Sequence, residues 1–68
     1  SAWQEVARRL AHEIKNPLTP IRLAAERIQR RASEMEEPVR DVVVTGCEAI
    51  IAHVTGLKQL VDAFHRYA

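Results

Sequence analysis

Glycine is scarce in this chain, with two in 68 residues and none before position 46, and the aromatic residues are a single Trp, a single Phe and a single Tyr. Tight turns that need a left-handed backbone are therefore not expected in the first two thirds, and any core must be built from aliphatic side chains. The lone Cys47 excludes an internal disulfide and has no partner ligands at metal spacing, so it reads as a small buried apolar residue in a reducing compartment. Ten basic against nine acidic residues give a net charge of +1, without the excess expected of a nucleic-acid binder. No apolar run approaches the roughly 20 residues of a membrane span, and no secretory leader is read in these residues.

What the chain does have is helical periodicity. Apolar residues recur in steps of three and four at Trp3, Ala7, Leu10, Ile14, Leu18 or Ile21, Ala25 and Ile28. A second stripe runs through Val39, Val43, Gly46, Ile50, His53, Leu57, Leu60, Phe64 and Tyr67. Val6, Val42, Ala49 and Val61 widen both stripes beyond a two-stranded seam. Between them "SEMEEP", residues 33–38, is polar and acidic, with Pro38 suited to opening a helix and glutamates suited to its positive end. The expected fold is all-α: one domain over 1–68, with helix 1 at about 2–32, a turn at about 33–37 and helix 2 at about 38–67. Ordering a chain costs about 1.5 kcal/mol per residue, more than one stripe per helix comfortably offsets. The antiparallel hairpin is therefore expected to dimerise into a four-helix bundle.

Pro17 and Pro20 interrupt the first stripe, and each costs a helix interior about 3 kcal/mol. The apolar phase of Leu10 and Ile14 nevertheless resumes at Ile21 and Ile28, and "NPLTP" holds no glycine, so a single bent helix is expected rather than two. The prolines deprive the carbonyls of Glu13 and Asn16 of their helical donors. The backbone loosens beside the most reactive residues of the chain.

On a helical wheel His12 falls about 180° from Leu10 and Ile14, facing solvent, with Arg8, Lys15, Asn16 and Thr19 within about 40–60° and Glu13 about 100° away. A solvated helix face carries polar residues by default. A zinc site of the His-Glu-x-x-His kind fails because "HEIKN" puts Asn16 at the second ligand position, and no metal ligand is assigned. A helix-turn-helix would need a short turn and a compact third helix, which the long stripes do not provide. A nucleophilic reading accounts for more. A neutral imidazole near pH 7 can attack phosphorus through one nitrogen while an adjacent carboxylate takes the proton from the other. Cations nearby offset phosphate charge, and an asparagine one turn away can hold a water.

"LAHEIKNPLTPIRLAAERI", residues 10–28, resembles the H-box of sensor histidine kinases, in their dimerisation and histidine-phosphotransfer domain. The match rests on His12, Glu13, Asn16, Pro17 and Leu18. The flanking "AWQEVARRLAHEIKNPLTPI" looks most like the nitrogen-regulation sensor kinases, and "LKQLVDAF", residues 57–64, is similar to the end of their second helix.

This resemblance implies that His12 is the phosphoacceptor, attacking the γ-phosphate of ATP through Nε2 and passing the phosphoryl group to an aspartate of a response-regulator receiver domain. It implies Glu13 as general base, Asn16 as the residue orienting water when the regulator is dephosphorylated, and Pro17 as the bend between kinase and phosphatase states. Regulator contacts would fall near Ile21, Ala24, Ala25 and Ile28. ATP and Mg would be held by a separate catalytic domain, whose asparagine-rich and glycine-rich boxes do not occur in these residues, so no cofactor is expected on this chain and no activity from it alone. Expected partners are a second copy, that ATP-binding domain and a receiver domain, with neither nucleic acid nor membrane touched by this segment. A cytoplasmic location follows, compatible with a parent anchored in a bacterial inner membrane.

Other residues take plainer readings. His53 falls on the second stripe as a partly buried, hydrogen-bonded core histidine, with a pH-responsive element as the alternative. His65 reads as a solvated or helix-end residue, and Trp3 as a packing anchor. Gly46 either permits close helix approach or weakens the helix. "RIQRR", residues 27–31, suits the negative end of helix 1 and a contact with an acidic surface. Two alternatives stand beside phosphotransfer: a non-catalytic dimerisation element with an incidental histidine, and a stand-alone phosphotransfer protein, which would normally hold four helices in one chain.

Overall fold

The computed structural model describes residues 1–67, with side-chain surroundings through residue 66; Tyr67, placed on the second stripe by its periodicity, lies outside the described side chains. Two helices fill it, α1 (Ala2–Ala32) and α2 (Val39–Tyr67), packed along their length as an antiparallel hairpin about 55 Å long. Ser1 caps α1: its Oγ accepts from the Gln4 N–H at 3.3 Å while the Gln4 side chain accepts from the Ser1 nitrogen at 2.9 Å. At the other end the helix tightens, with the N–H groups of Glu34 and Met35 donating to the carbonyls of Arg31 and Ala32. Ser33 Oγ donates to the Arg30 carbonyl at 2.9 Å. The Glu37–Pro38 peptide is cis, and α2 opens at the next residue, with Glu37 paired to Arg40 at 2.9 Å.

α1 runs unbroken through Pro17 and Pro20, as the continuing apolar phase required. Glu13 and Asn16, whose carbonyls lose their helical donors, are both exposed, so water can satisfy those groups.

The packing corrects the expected stripes. Each helix carries two apolar lanes, and only the small-residue lane closes the hairpin. On α1 it is Ala7, Ala11, Leu18, Ala25 and Ala32; on α2 it is Cys47, Val54 and Val61, all less than 9% exposed. Seven-residue spacing keeps each lane facing its partner, and alanine lets the two backbones approach closely. Leu10, Ile14, Ile21 and Ile28, expected on the seam, form a lane of their own and remain 42–50% exposed. Ile50, Leu57 and Phe64 do the same on α2. The large lanes lie about 60° from the small ones, on the same side of the hairpin. Between them runs an apolar groove of about 330 Å³, lined by Ala11, Ile14, Leu57, Leu60, Val61 and Phe64.

Two further expectations change within the hairpin, and one pair of alternatives narrows. His53 is exposed and makes no side-chain hydrogen bond among the described residues, because the lane through Val54 turns it outward. Trp3 is 62% exposed, its ring edge-on to Phe64 at 6.3 Å, and so anchors little within one hairpin. Gly46 faces open space, with nothing within 4 Å of where a Cβ would sit, so no close helix approach requires it. Cys47, by contrast, is buried as read, at 4% exposure.

Candidate functional site

The polar edge of the hairpin near the middle of α1 collects the residues singled out by sequence. His12, Glu13 and Asn16 are all exposed on a continuous helix, and His12 points away from the apolar lane of Leu10 and Ile14. The reason is positional: the buried lane is set by Ala11 and Leu18, which leaves residue 12 about 100–120° around the helix. Glu13 follows His12 directly, and the side chain of neither forms a hydrogen bond or ion pair with protein among the described residues. The imidazole, the carboxylate and the Asn16 amide are thus accessible from solvent together.

Lys15 does not join that open face. It sits about 40–60° from the buried lane, half-buried, and its Nζ donates to Asp62 of α2 at 2.6 Å. That hydrogen bond is the largest influence on Asp62; it outweighs an opposing desolvation and, with the weaker attraction of Lys15, Lys58 and Arg66, holds the carboxyl below its ordinary value of 3.8. Of the two cations expected to offset phosphate charge, Arg8 remains exposed, whereas Lys15 is engaged across the hairpin.

His65, read from the sequence as a solvated or helix-end residue, stands in the last turn of α2 and lies beside His12. The two rings meet edge to face, centroids 5.6 Å apart and planes at 90°. No sequence signal pairs residues 53 positions apart without the helix register. With that register the pair is regular: His12 and Lys15 are three apart on α1, Asp62 and His65 three apart on α2, and the two contacts are successive rungs of one ladder.

Among the expected docking residues, Ile21, Ala24 and Ile28 are exposed. Ala25 is 3% exposed in the hairpin seam, so its side chain is not presented at the surface. Arg31 of the basic run pairs with Glu34 at 3.8 Å, and Arg27 and Arg30 are exposed. Among the described residues no three His, Cys, Asp or Glu side chains converge as a metal site requires, and no helix is long and apolar enough to cross a membrane.

Comparison with known proteins identifies the family of the whole chain. Residues 2–68 match the model of the HisKA family, described as the His Kinase A (phospho-acceptor) domain. Over 68 residues, all of this chain, the sequence is 46% identical to nitrogen regulation protein NtrY of Azorhizobium caulinodans. It is 43% identical to a putative NtrY-like sensor histidine kinase of Rickettsia prowazekii and 44% to that of Rickettsia conorii, each over 98% of the chain. The chain spans 9% of the first of these proteins and 11% of the other two. No solved structure matches. A full-length match to the family model, together with close relatives among NtrY-type sensor kinases, makes this chain a member of the HisKA family of histidine-kinase phosphoacceptor domains.

Proposed function

We propose that this chain is the phosphoacceptor and dimerisation segment of an NtrY-type sensor histidine kinase, and that His12 is the residue phosphorylated. The observation that carries the reading is an exposed imidazole, directly followed by an exposed carboxylate, in a domain whose family is defined by phosphoacceptance. In the reaction, one nitrogen of the neutral His12 imidazole attacks the γ-phosphorus of ATP delivered by a separate catalytic domain. An N–P bond forms as the bond from γ-phosphorus to the bridging oxygen breaks, and that oxygen leaves with ADP. Glu13 takes the proton from the other ring nitrogen, so the phosphorylated ring ends neutral. Exposed Arg8 offsets charge on the incoming phosphate.

The same site serves the return path. The N–P bond then breaks as a carboxylate oxygen of a receiver-domain aspartate takes the phosphoryl group, Glu13 returns the proton to the ring, and the receiver docks on α1 around exposed Ala24, beside the lane of Ile21 and Ile28. Asn16, one turn beyond His12, orients the water that later hydrolyses the aspartyl phosphate. The large apolar lanes support a homodimer: two hairpins facing each other across Ile14, Leu57 and Phe64 would close a four-helix bundle and cover surface that a single hairpin leaves in water.

The test combines this chain with the ATP-binding domain of its parent kinase and labelled ATP. Acid-labile, base-stable phosphate is expected on the wild type and not on His12→Gln, with helicity unchanged between them. Equal labelling of both would place the acceptor elsewhere, and no label on either would favour a purely structural dimerisation element.

A further inference from the structure

His12 and His65 stand on different helices and meet at the edge of the hairpin, their rings perpendicular with centroids 5.6 Å apart. The contact is not an isolated meeting of two solvated side chains. One turn along, the 2.6 Å bond from Lys15 to Asp62 fixes the same register from the same two helices. The two rings also differ in freedom. His65 is half-buried, about 40° from the Val61 lane that seals the hairpin, so its ring has a packed side; His12 is exposed. A constrained ring set edge-to-face against a freer one restricts the freer one, and this is a preferred geometry for aromatic pairs.

Restriction matters at this residue. A nucleophilic nitrogen must meet phosphorus in line at about 3–3.5 Å, and an exposed histidine samples several rotamers of which few offer that line. We propose that His65 is a positioning residue for His12, holding the acceptor imidazole in one orientation on the open face of α1 through their ring contact. The proposal rests on His12 being the phosphoacceptor. His65 touches neither ATP nor phosphorus and acts only through His12. Its effect therefore falls on the rate of the chemical step, and the binding of nucleotide by the catalytic domain is untouched.

The experiment uses the full-length parent kinase. His65→Ala is expected to lower kcat for autophosphorylation about two- to tenfold, the population change that such a ring contact supports, with KM for ATP unchanged. His65→Phe retains an aromatic ring and is expected to restore most of kcat, which a general loss of helix stability would not allow. NMR cross-peaks between the His12 and His65 rings, recorded without ATP, test the contact itself. Unchanged kcat in His65→Ala, failure of His65→Phe to restore it, or absence of the cross-peaks in the wild type would overturn the assignment. Cross-peaks present in a wild type that takes no label would instead overturn the phosphoacceptor reading, and the positioning role with it.

Discussion

Lys15 Nζ lies 2.6 Å from a carboxylate oxygen of Asp62, joining the two helices one turn from the His12–His65 contact. Both side chains are about one-third exposed, at 34% and 37%, so water screens the pair and its contribution to stability is small. Its larger effect is on register, since it adds a directional contact to the apolar packing of Ala11, Leu18 and Val61 beside it. Asp62→Asn is expected to lower the thermal unfolding midpoint slightly at neutral pH. The folded carboxyl is held below its ordinary value, so the stabilisation is complete above about pH 4 and is lost as pH falls through the lowered folded value. The difference between Asp62→Asn and wild type should therefore shrink in acid. Calorimetry at matched protein concentration checks this, because assembly also shifts the midpoint.

The exposed large lane predicts concentration-dependent assembly. Ile14 and Leu57 face the groove at 42% exposure each. Covering the exposed part of one such side chain is worth about 1 kcal/mol, burying a carboxylate in its place costs more than that again, and a symmetric dimer counts each twice. Ile14→Glu should thus raise the dimer dissociation constant about a hundredfold or more, read by sedimentation equilibrium. Leu23→Glu, exposed on the face of α1 opposite that lane, should leave assembly unchanged.

Glu13 and Asn16 sit one turn apart and should separate the two directions of phosphoryl flow. Glu13→Gln keeps size and polarity but cannot take a proton, so autophosphorylation should fall about 100-fold or more. Asn16→Ala should leave autophosphorylation near wild type and slow dephosphorylation of the phosphorylated receiver domain. Measuring both rates on each variant checks the division, and equal losses of both rates in Asn16→Ala would deny it a special role in positioning water.

Much of this arrangement is legible in the sequence because helical periods are local. The start of α1, its passage through two prolines, the exposure of His12 and the burial of Cys47 all follow from residue spacing and type. The division of each stripe into a small lane and a large lane does not, since both are apolar and only about 60° apart; which one closes the hairpin depends on how closely the backbones approach. The α2 stripe drawn from sequence through Gly46, Ile50, His53, Leu57 and Phe64 follows the large lane, and so includes a histidine about 100° from the lane through Val54 that closes the hairpin. The contacts of Lys15 with Asp62 and His12 with His65 need the offset of one helix against the other. That offset depends on the turn at 33–38 and on packing along the whole hairpin.

Pro17 lies inside α1 where a proline costs about 3 kcal/mol, and it removes the donor to the carbonyl of Glu13, next to His12. Pro17→Ala restores that hydrogen bond and should raise the unfolding midpoint. If the missing bond exists to let the upper part of α1 bend between a kinase and a phosphatase arrangement, the stabilised variant should also be biased toward one of them. The ratio of autophosphorylation to receiver dephosphorylation would then change, whichever way the straighter helix leans. A raised midpoint with an unaltered ratio would separate the two effects and leave the proline without a part in switching. The same variant also probes the ring contact, because a change in the path of α1 alters the distance from His12 to His65 and hence the strength of their NMR cross-peaks.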